Sequence, residues 1–248
     1  MAAVAIVTPY YKEDRSLLER CVDSVRRQTV PSDHLLVSDG HPQAWLDAEG
    51  VRHLKLDRAH GDWGNTPRGI GAQLAIAEGY EAIAFLDADN WLDNDHVEIC
   101  LRAAESLTGE RVDCDYVVAQ RRMVRPDLSV MDCAEEPGHV DTSCFFFLPG
   151  SFFMIPYWNL MPRPFAVIGD RIFGRHIAAR GLTVARTDKV SVNYLNLYES
   201  TYRMRGEIPP AGAKPNADPG PAFAWHAGLT PRMKLVVERL IGLKMRTS

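Results

Sequence analysis

Glu81–Asn90 reads EAIAFLDADN. The apolar run Ala82–Leu86 leads directly into Asp87, Ala88 and Asp89. An unbroken apolar run bounded by polar residues fits a strand buried on both faces, as in the middle of an α/β sheet. Side chains alternate along extended backbone, so Asp87 and Asp89 point the same way from the end of that strand. Two neighbouring carboxylates repel unless a cation lies between or in front of them. A hard dication serves: Mg²⁺ takes one or two protein carboxylates and completes its shell with water and phosphate oxygens. The crevice beyond the strand ends is also where open α/β folds bind ligands. The competing reading is a plain turn, capped by Asp89 and Asn90, with Asp87 in solvent.

Upstream, Ala3–Val7 is a first buried strand ending in Thr8-Pro9-Tyr10-Tyr11-Lys12-Glu13. Ser16 opens a helix with Glu19 three residues on, the capping-box pattern, and Leu17, Leu18, Cys21, Val22 and Val25 form its apolar stripe. His34–Val37 reads as a second strand, ending in Ser38-Asp39-Gly40, and Val51–Leu56 as a third. After Gly61-Asp62-Trp63-Gly64, Thr66 and Pro67 take the N-cap and N1 positions of a helix closing at Gly79. This alternation predicts an α/β domain with a mostly parallel sheet and right-handed crossovers.

Downstream, Asn94 and Asp95 cap a helix reaching about Leu107. Tyr116–Val124, Val130–Asp132 and Val140–Leu148 then read as less regular, mixed strands. Ile168-Gly169-Asp170 leads into a helix, Arg171–Arg180, and Thr183–Arg186 and Val190–Tyr194 are two further strands. Residues 199–228, rich in Pro, Gly and Ala, read as loop. Pro231–Met245 is a last helix with an apolar face of Met233, Val236, Val237, Leu240 and Leu243. Arg232, Lys234, Arg239, Lys244 and Arg246 face one acid, Glu238, in that segment. Packing onto the domain or a second subunit competes there with docking on an anionic membrane surface.

The 248 residues suffice for a substantial core, and a net charge of −4 gives no sign of a nucleic-acid-binding surface. No apolar run approaches a membrane span, and no signal-peptide pattern opens the chain. The five scattered cysteines, without a C-x-x-C, read as reduced thiols and argue against zinc. The expected location is cytoplasmic, with peripheral contact at the inner face of the membrane left open by the basic helix.

VAIVTPYYKED before the first helix, LLVSDG, GNTPRGIGAQLAIAEGYEAIAFLDADN and, more weakly, IGDRIFGRHI occur in that order. Together they resemble the family 2 glycosyltransferases, nucleotide-sugar enzymes of the GT-A fold. The resemblance covers roughly residues 3–195. It implies a Rossmann-like nucleotide-binding half (1–110), a mixed central sheet and a smaller acceptor-side half (111–198). A flexible loop region (199–230) completes the single domain, and the amphipathic basic helix (231–248) follows. The chain departs from the family pattern at Lys12, where Asn is usual, and at Gly169, where a second carboxylate usually precedes the catalytic aspartate. It also lacks the Q-x-x-R-W motif and membrane helices of polysaccharide synthases, which argues against a processive synthase.

The resemblance implies a metal-dependent, inverting transfer of a sugar from a nucleoside diphosphate-sugar, favouring the UDP type, to a saccharide or other hydroxyl acceptor. It assigns Pro9, Tyr11, Glu13 and Asp39 to the nucleotide. Asp39 would accept from the base N–H, and Tyr11 or Tyr10 would stack on the base. Asp89 would ligate Mg²⁺ or Mn²⁺, with Asp87 nearer the ribose or sugar hydroxyls and Ala88 between them. Arg68, near a helix N-terminus, would hold a donor phosphate or ring substituent, or else pair with Asp62 on the surface. Asp170 is the expected base, with Asp141 in reserve. His226 is a candidate third metal ligand, and Arg203 and Arg205 are candidate diphosphate clamps. The alternatives are a non-catalytic nucleotide-sugar-binding protein and, less favoured, a D-x-D phosphatase.

Overall fold

The computed structural model describes residues 3–108, 114–132, 139–242 and 244. Its first half runs β1 (Val4–Tyr10), α1 (Arg15–Arg26), β2 (Asp33–Ser38), β3 (Arg52–Lys55), α2 (Asn65–Ala77) and β4 (Ala82–Phe85). β1 pairs in parallel with both β2 and β4, and β3 adds in parallel to β2. Every residue of β1 and β4 is buried, as a strand covered on both faces requires. β1 extends through Pro9 and Tyr10, which sequence placed beyond it; in register, Pro9 lies opposite Val37.

The second half supplies β5 (Trp91–Leu92), α3 (His96–Thr108), β6 (Tyr116–Val124), β7 (Val130–Met131), β8 (Phe145–Phe147), α4 (Tyr157–Leu160), α5 (Gly169–Ala178) and β9 (Val184–Leu195). The path β3-β2-β1-β4-β8-β6-β9-β5, with β7 on β6, makes one nine-stranded sheet. β8 pairs antiparallel with both β4 and β6. The sheet therefore changes from parallel to mixed at β4, the strand that carries the acidic pair, and such a change in strand order leaves a crevice at the strand ends.

Three helix starts differ from expectation. α1 begins at Arg15, Asp14 makes no side-chain cap, and Glu19 pairs with Arg15 instead of closing a capping box. Left-handed Gly64 precedes α2, while the Asp62 carboxylate accepts from the Thr66 amide at 3.0 Å, so an acid four residues back replaces the expected threonine cap. α5 begins two residues early, at Gly169. Among the strands, the two expected over 183–194 are one irregular strand, β9. Val140–Leu148 contributes only β8, because Thr142–Cys144 forms a 3₁₀ turn capped by Asp141.

Residues 199–228 are not all loop, since α6 (Glu199–Met204) and α7 (Gly220–Ala227) lie within them. α8 (Pro231–Ile241) ends at left-handed Gly242 and seats Val237 and Ile241 against Phe165, Ile172 and Ala222. Met233 and Val236, expected on its packed face, are exposed. Leu243 and residues 245–248 lie outside the described residues. Among those described, no helix is long and apolar enough to cross a membrane, and the four described cysteines are free and buried.

α2 lies close on the sheet because it has no side chain at Gly71: a Cβ there would meet Val7 Cγ1 and Val37 Cγ2, each at 2.7 Å. Gly71→Ala is therefore expected to cost about 1–3 kcal/mol, the usual penalty of overpacking. Urea unfolding should show a lower midpoint with an unchanged m-value, and an unchanged midpoint would contradict the close packing.

Candidate active site

β4 ends at Phe85, and the next residues turn away from the sheet edge under tight control. The Leu86 amide still donates to Val7 carbonyl at 3.1 Å, and the Asp87 amide donates to Ser143 Oγ at the same distance. Buried Asn90 donates to Ser143 Oγ at 3.1 Å and accepts from the Leu195 amide at 2.9 Å. Asn90, read from sequence only as a turn cap, thus ties the acidic loop to β9 and to the turn before β8.

The loop opens into a cleft of about 450 Å³. Pro9, Tyr11, Glu13, Asp39, Arg68, Asp87, Ala88, Asp89 and Asp170 all line it, whereas the candidates His226, Arg203 and Arg205 do not. Its lining carries six carboxylates (Glu13, Asp39, Asp87, Asp89, Asp141 and Asp170) against two cations, Arg68 and Lys214. Burial, with the neighbouring Asp87, pushes the Asp89 carboxyl up to about 7, only partly offset by Lys214. The Lys214 ammonium is 3.8 Å from Asp89 Oδ2.

Arg68 does not pair with Asp62. Its guanidinium lies 2.6 Å from Asp87 Oδ1 and packs over Trp158, with 4.9 Å from Cζ to the ring centre. Arg68 is almost wholly buried, so deleting either partner strands a charge, at a typical cost of roughly 3–5 kcal/mol. Asp87 keeps 27% of its side chain exposed, which puts the loss toward the low end. The Arg68 side chain is therefore already engaged in orienting Asp87, and its Nε alone remains without a partner.

Asp39 sits at the end of β2, its carboxylate accepting from the His60 amide and ring Nδ1 at 2.9 and 2.8 Å and from the Gly61 amide at 3.0 Å. A carboxylate has about four acceptor positions, so these three bonds leave it room for one more. Tyr10 is not available for stacking: it is buried, and its hydroxyl contacts His53 Nε2 at 2.6 Å. Tyr11 is 39% exposed, with the Lys12 ammonium 4.8 Å from its ring centre. Glu13 Oε2 accepts from the Tyr11 amide at 2.6 Å. Trp63 was missed as a site residue. It lines the cleft, is 58% exposed and holds φ +58°, a conformation a bulky residue rarely adopts. The signal was a tryptophan inside the glycine-rich Gly61–Gly64 turn.

Asp170, in the first turn of α5, accepts from His139 Nε2 at 2.7 Å and from the Arg171 amide at 2.7 Å. Burial would raise its carboxyl, but the His139 bond and the Arg171 charge outweigh it and hold it below the usual range. His139 is a second residue the sequence did not flag. A Cβ on Gly169 would lie 2.9 Å from Asn65 Nδ2 and 3.3 Å from Met161 Sδ, so the second carboxylate usual in the family has no room here. Asp141, the reserve base, is buried against Arg121 at 3.0 Å; burial raises its carboxyl and Arg121 opposes that. A carboxylate locked in that pair is poorly placed to take a proton.

Other expected partners lie elsewhere. His226 packs against Phe165, ring centres 5.9 Å apart, and lines neither the cleft nor the approach to Asp89. Arg203 pairs with Glu199 and Arg205 with Glu207, each at 2.9 Å. From that part of the chain it is Lys214 that reaches the acids, held by the pairing of its backbone with Tyr198.

The chain matches the family model for glycosyl transferase family 2 over residues 5–154. It is 30% identical over 119 residues to the putative glycosyltransferase EpsH of Bacillus subtilis, covering 46% of this chain and 33% of that protein. It is also 30% identical over 121 residues to the succinoglycan biosynthesis protein ExoW of Rhizobium meliloti, covering 46% and 37%. The chain thus spans about a third of the length of these relatives. Among solved structures it resembles residues 1–349 of S. aureus TarS in complex with UDP, with a TM-score of 0.60, 12% identity, and coverage of 96% of this chain and 70% of that one. That likeness is one of fold, and with the mixed sheet it makes the architecture GT-A. Because the matched segment is more than half of the 248 residues, the chain belongs to glycosyl transferase family 2.

Proposed function

We propose that this chain transfers a sugar from a nucleoside diphosphate-sugar of the UDP type to an acceptor hydroxyl, with inversion and with the help of Mg²⁺ or Mn²⁺. The observation that carries the reading is the charge of the cleft: among the described residues, with Asp87 paired to Arg68 and Asp141 to Arg121, Glu13, Asp39, Asp89 and Asp170 face the one ammonium of Lys214. A diphosphate entering it alone would meet net repulsion, so the donor and a dication must enter as partners. Asp89, with Asp87 beside it, supplies the hard oxygen donors such an ion prefers. Among the described residues no group of three or more His, Cys, Asp or Glu could hold a metal ion by itself, so an ion here needs ligands from water and the donor. That suits Mg²⁺ or Mn²⁺, which keep water and substrate phosphate among their ligands. When bound, the ion would neutralise the charge that builds on the departing diphosphate.

The chain's own residues account for the rest of the chemistry. Asp39 would take the base by hydrogen bond and Tyr11 by stacking, a reading supported by their shared cleft; S. aureus TarS, a fold neighbour, has been captured with UDP and with UDP-GlcNAc. Asp170, ionised and oriented by His139, takes the proton from the acceptor hydroxyl as its oxygen attacks the anomeric carbon. The bond from that carbon to the diphosphate breaks on the opposite face, which inverts the centre. Asp87, clamped by Arg68, is a poor nucleophile, which speaks against the phosphatase alternative.

Asp170→Asn is expected to bind UDP as the parent does and to release UDP from a UDP-sugar at least about 10²-fold more slowly. Near-parent turnover would remove Asp170 from the role of base. His139→Ala leaves the effect of burial on Asp170 less opposed, so the carboxyl titrates higher. A base works only when ionised, so activity falls as pH drops through that value. At saturating Mn²⁺, the acid limb of the rate profile should therefore move to higher pH, and an unmoved limb would show that His139 does not tune Asp170. Calorimetric UDP affinity should fall roughly tenfold or more when EDTA replaces Mn²⁺, and equal affinity in both would contradict metal dependence.

A further inference from the structure

We infer that Trp63 is a further donor-binding residue, whose indole closes over the flat face of the nucleotide base that Asp39 holds by its edge. This deepens the transferase reading and rests on it. Four of the five tryptophans have a partner for their ring. Trp45 and Trp91 are covered by the guanidinium groups of Arg15 and Arg20, each with 4.7 Å from Cζ to the ring centre. Trp158 stacks on Phe173, ring centres 4.5 Å apart, and Trp225 meets Phe165 edge-on at 5.7 Å. Trp63 has no ring partner, cation or hydrogen bond among the described residues, and it stands exposed in the lining of the acidic cleft.

The backbone makes that exposure costly. At φ +58° a bulky side chain is strained where glycine is not, and an indole left in solvent returns little burial energy to offset the strain. Neighbouring contacts impose the conformation. On one side the Gly61 amide donates to Asp39 Oδ2 at 3.0 Å. On the other, Gly64 lies so close to Pro9 that a Cβ there would be 3.2 Å from Pro9 Cγ. Between them the Asp62 carboxylate is fixed by the Thr66 amide. Trp63 is two residues from Gly61, so its backbone lies within about 7 Å of the residue bonded to Asp39. An indole spans such a distance. A base whose ring N–H donates to Asp39 leaves its flat faces uncovered, and aromatic rings pair with such faces offset or edge-on. Tyr11 is one aromatic of the lining, and Trp63 supplies a second.

The full chain at saturating Mn²⁺ is titrated calorimetrically with three probes: UDP, UDP whose uracil is reduced to dihydrouracil, and pyrophosphate. The reduced base keeps its N–H for Asp39 but is puckered, and pyrophosphate has no base. Trp63→Ala removes an exposed ring and keeps the Cβ. It should weaken UDP about fivefold or more and change the other two affinities by no more than about twofold. Trp63→Phe, which restores a flat face, should bind UDP within about twofold of the parent. A smaller loss for UDP, an equal loss for either of the other probes, or a Phe variant as weak as the Ala variant would overturn the inference. In each of those cases normal UDP binding by the parent would leave the donor reading standing. Failure of the parent chain to bind UDP would sink the donor reading instead.

Discussion

Carboxylates crowded at the rim of a central strand are the constraint on which the rest of the molecule depends. Burying acids together is unfavourable unless each finds a cation or a set of donors. The chain satisfies most of them internally: Asp39 through His60 and Gly61, Asp87 through Arg68, Asp141 through Arg121, Asp170 through His139. Asp89 is the exception: among the described residues its ion pair is with the Lys214 ammonium at 3.8 Å, and burial, with Asp87 beside it, raises its carboxyl. The fold thus leaves Asp89, in the lining of the cleft, as the least satisfied of these carboxylates.

Holding that arrangement requires both halves of the sheet. The parallel half places Asp39 and the acidic pair on one edge, and the antiparallel half supplies Ser143 and Leu195, which hold Asn90 and the Asp87 amide. Trp158 and Phe85 flank the Arg68 guanidinium, so the same side chains that fill the core also aim Asp87. Core and site are one network here. Asp170 lines both the acidic cleft and a larger cavity beside it.

Much of this was legible in the sequence, because the controlling signals are local. An apolar run ending in D-x-D, a second strand ending in Asp-Gly and a glycine-rich turn before a helix located three of the cleft's walls. What sequence could not show were partners brought together by the sheet's change of direction. Arg68 meets Asp87 rather than Asp62, and His139 meets Asp170 across 31 positions. Lys214 reaches Asp89 from a segment whose composition reads as loop. The helix starts were misplaced for a simpler reason: Asp62 and Gly64 carry out from outside the helix what Thr66 was expected to do at its cap.

The central claim, that the donor enters this cleft together with a dication held by Asp89, is tested most directly by anomalous diffraction from crystals grown with UDP and Mn²⁺. The account predicts a manganese peak between the Asp89 carboxylate and the diphosphate oxygens. Well-ordered UDP in the cleft with no anomalous peak beside Asp89 would contradict it.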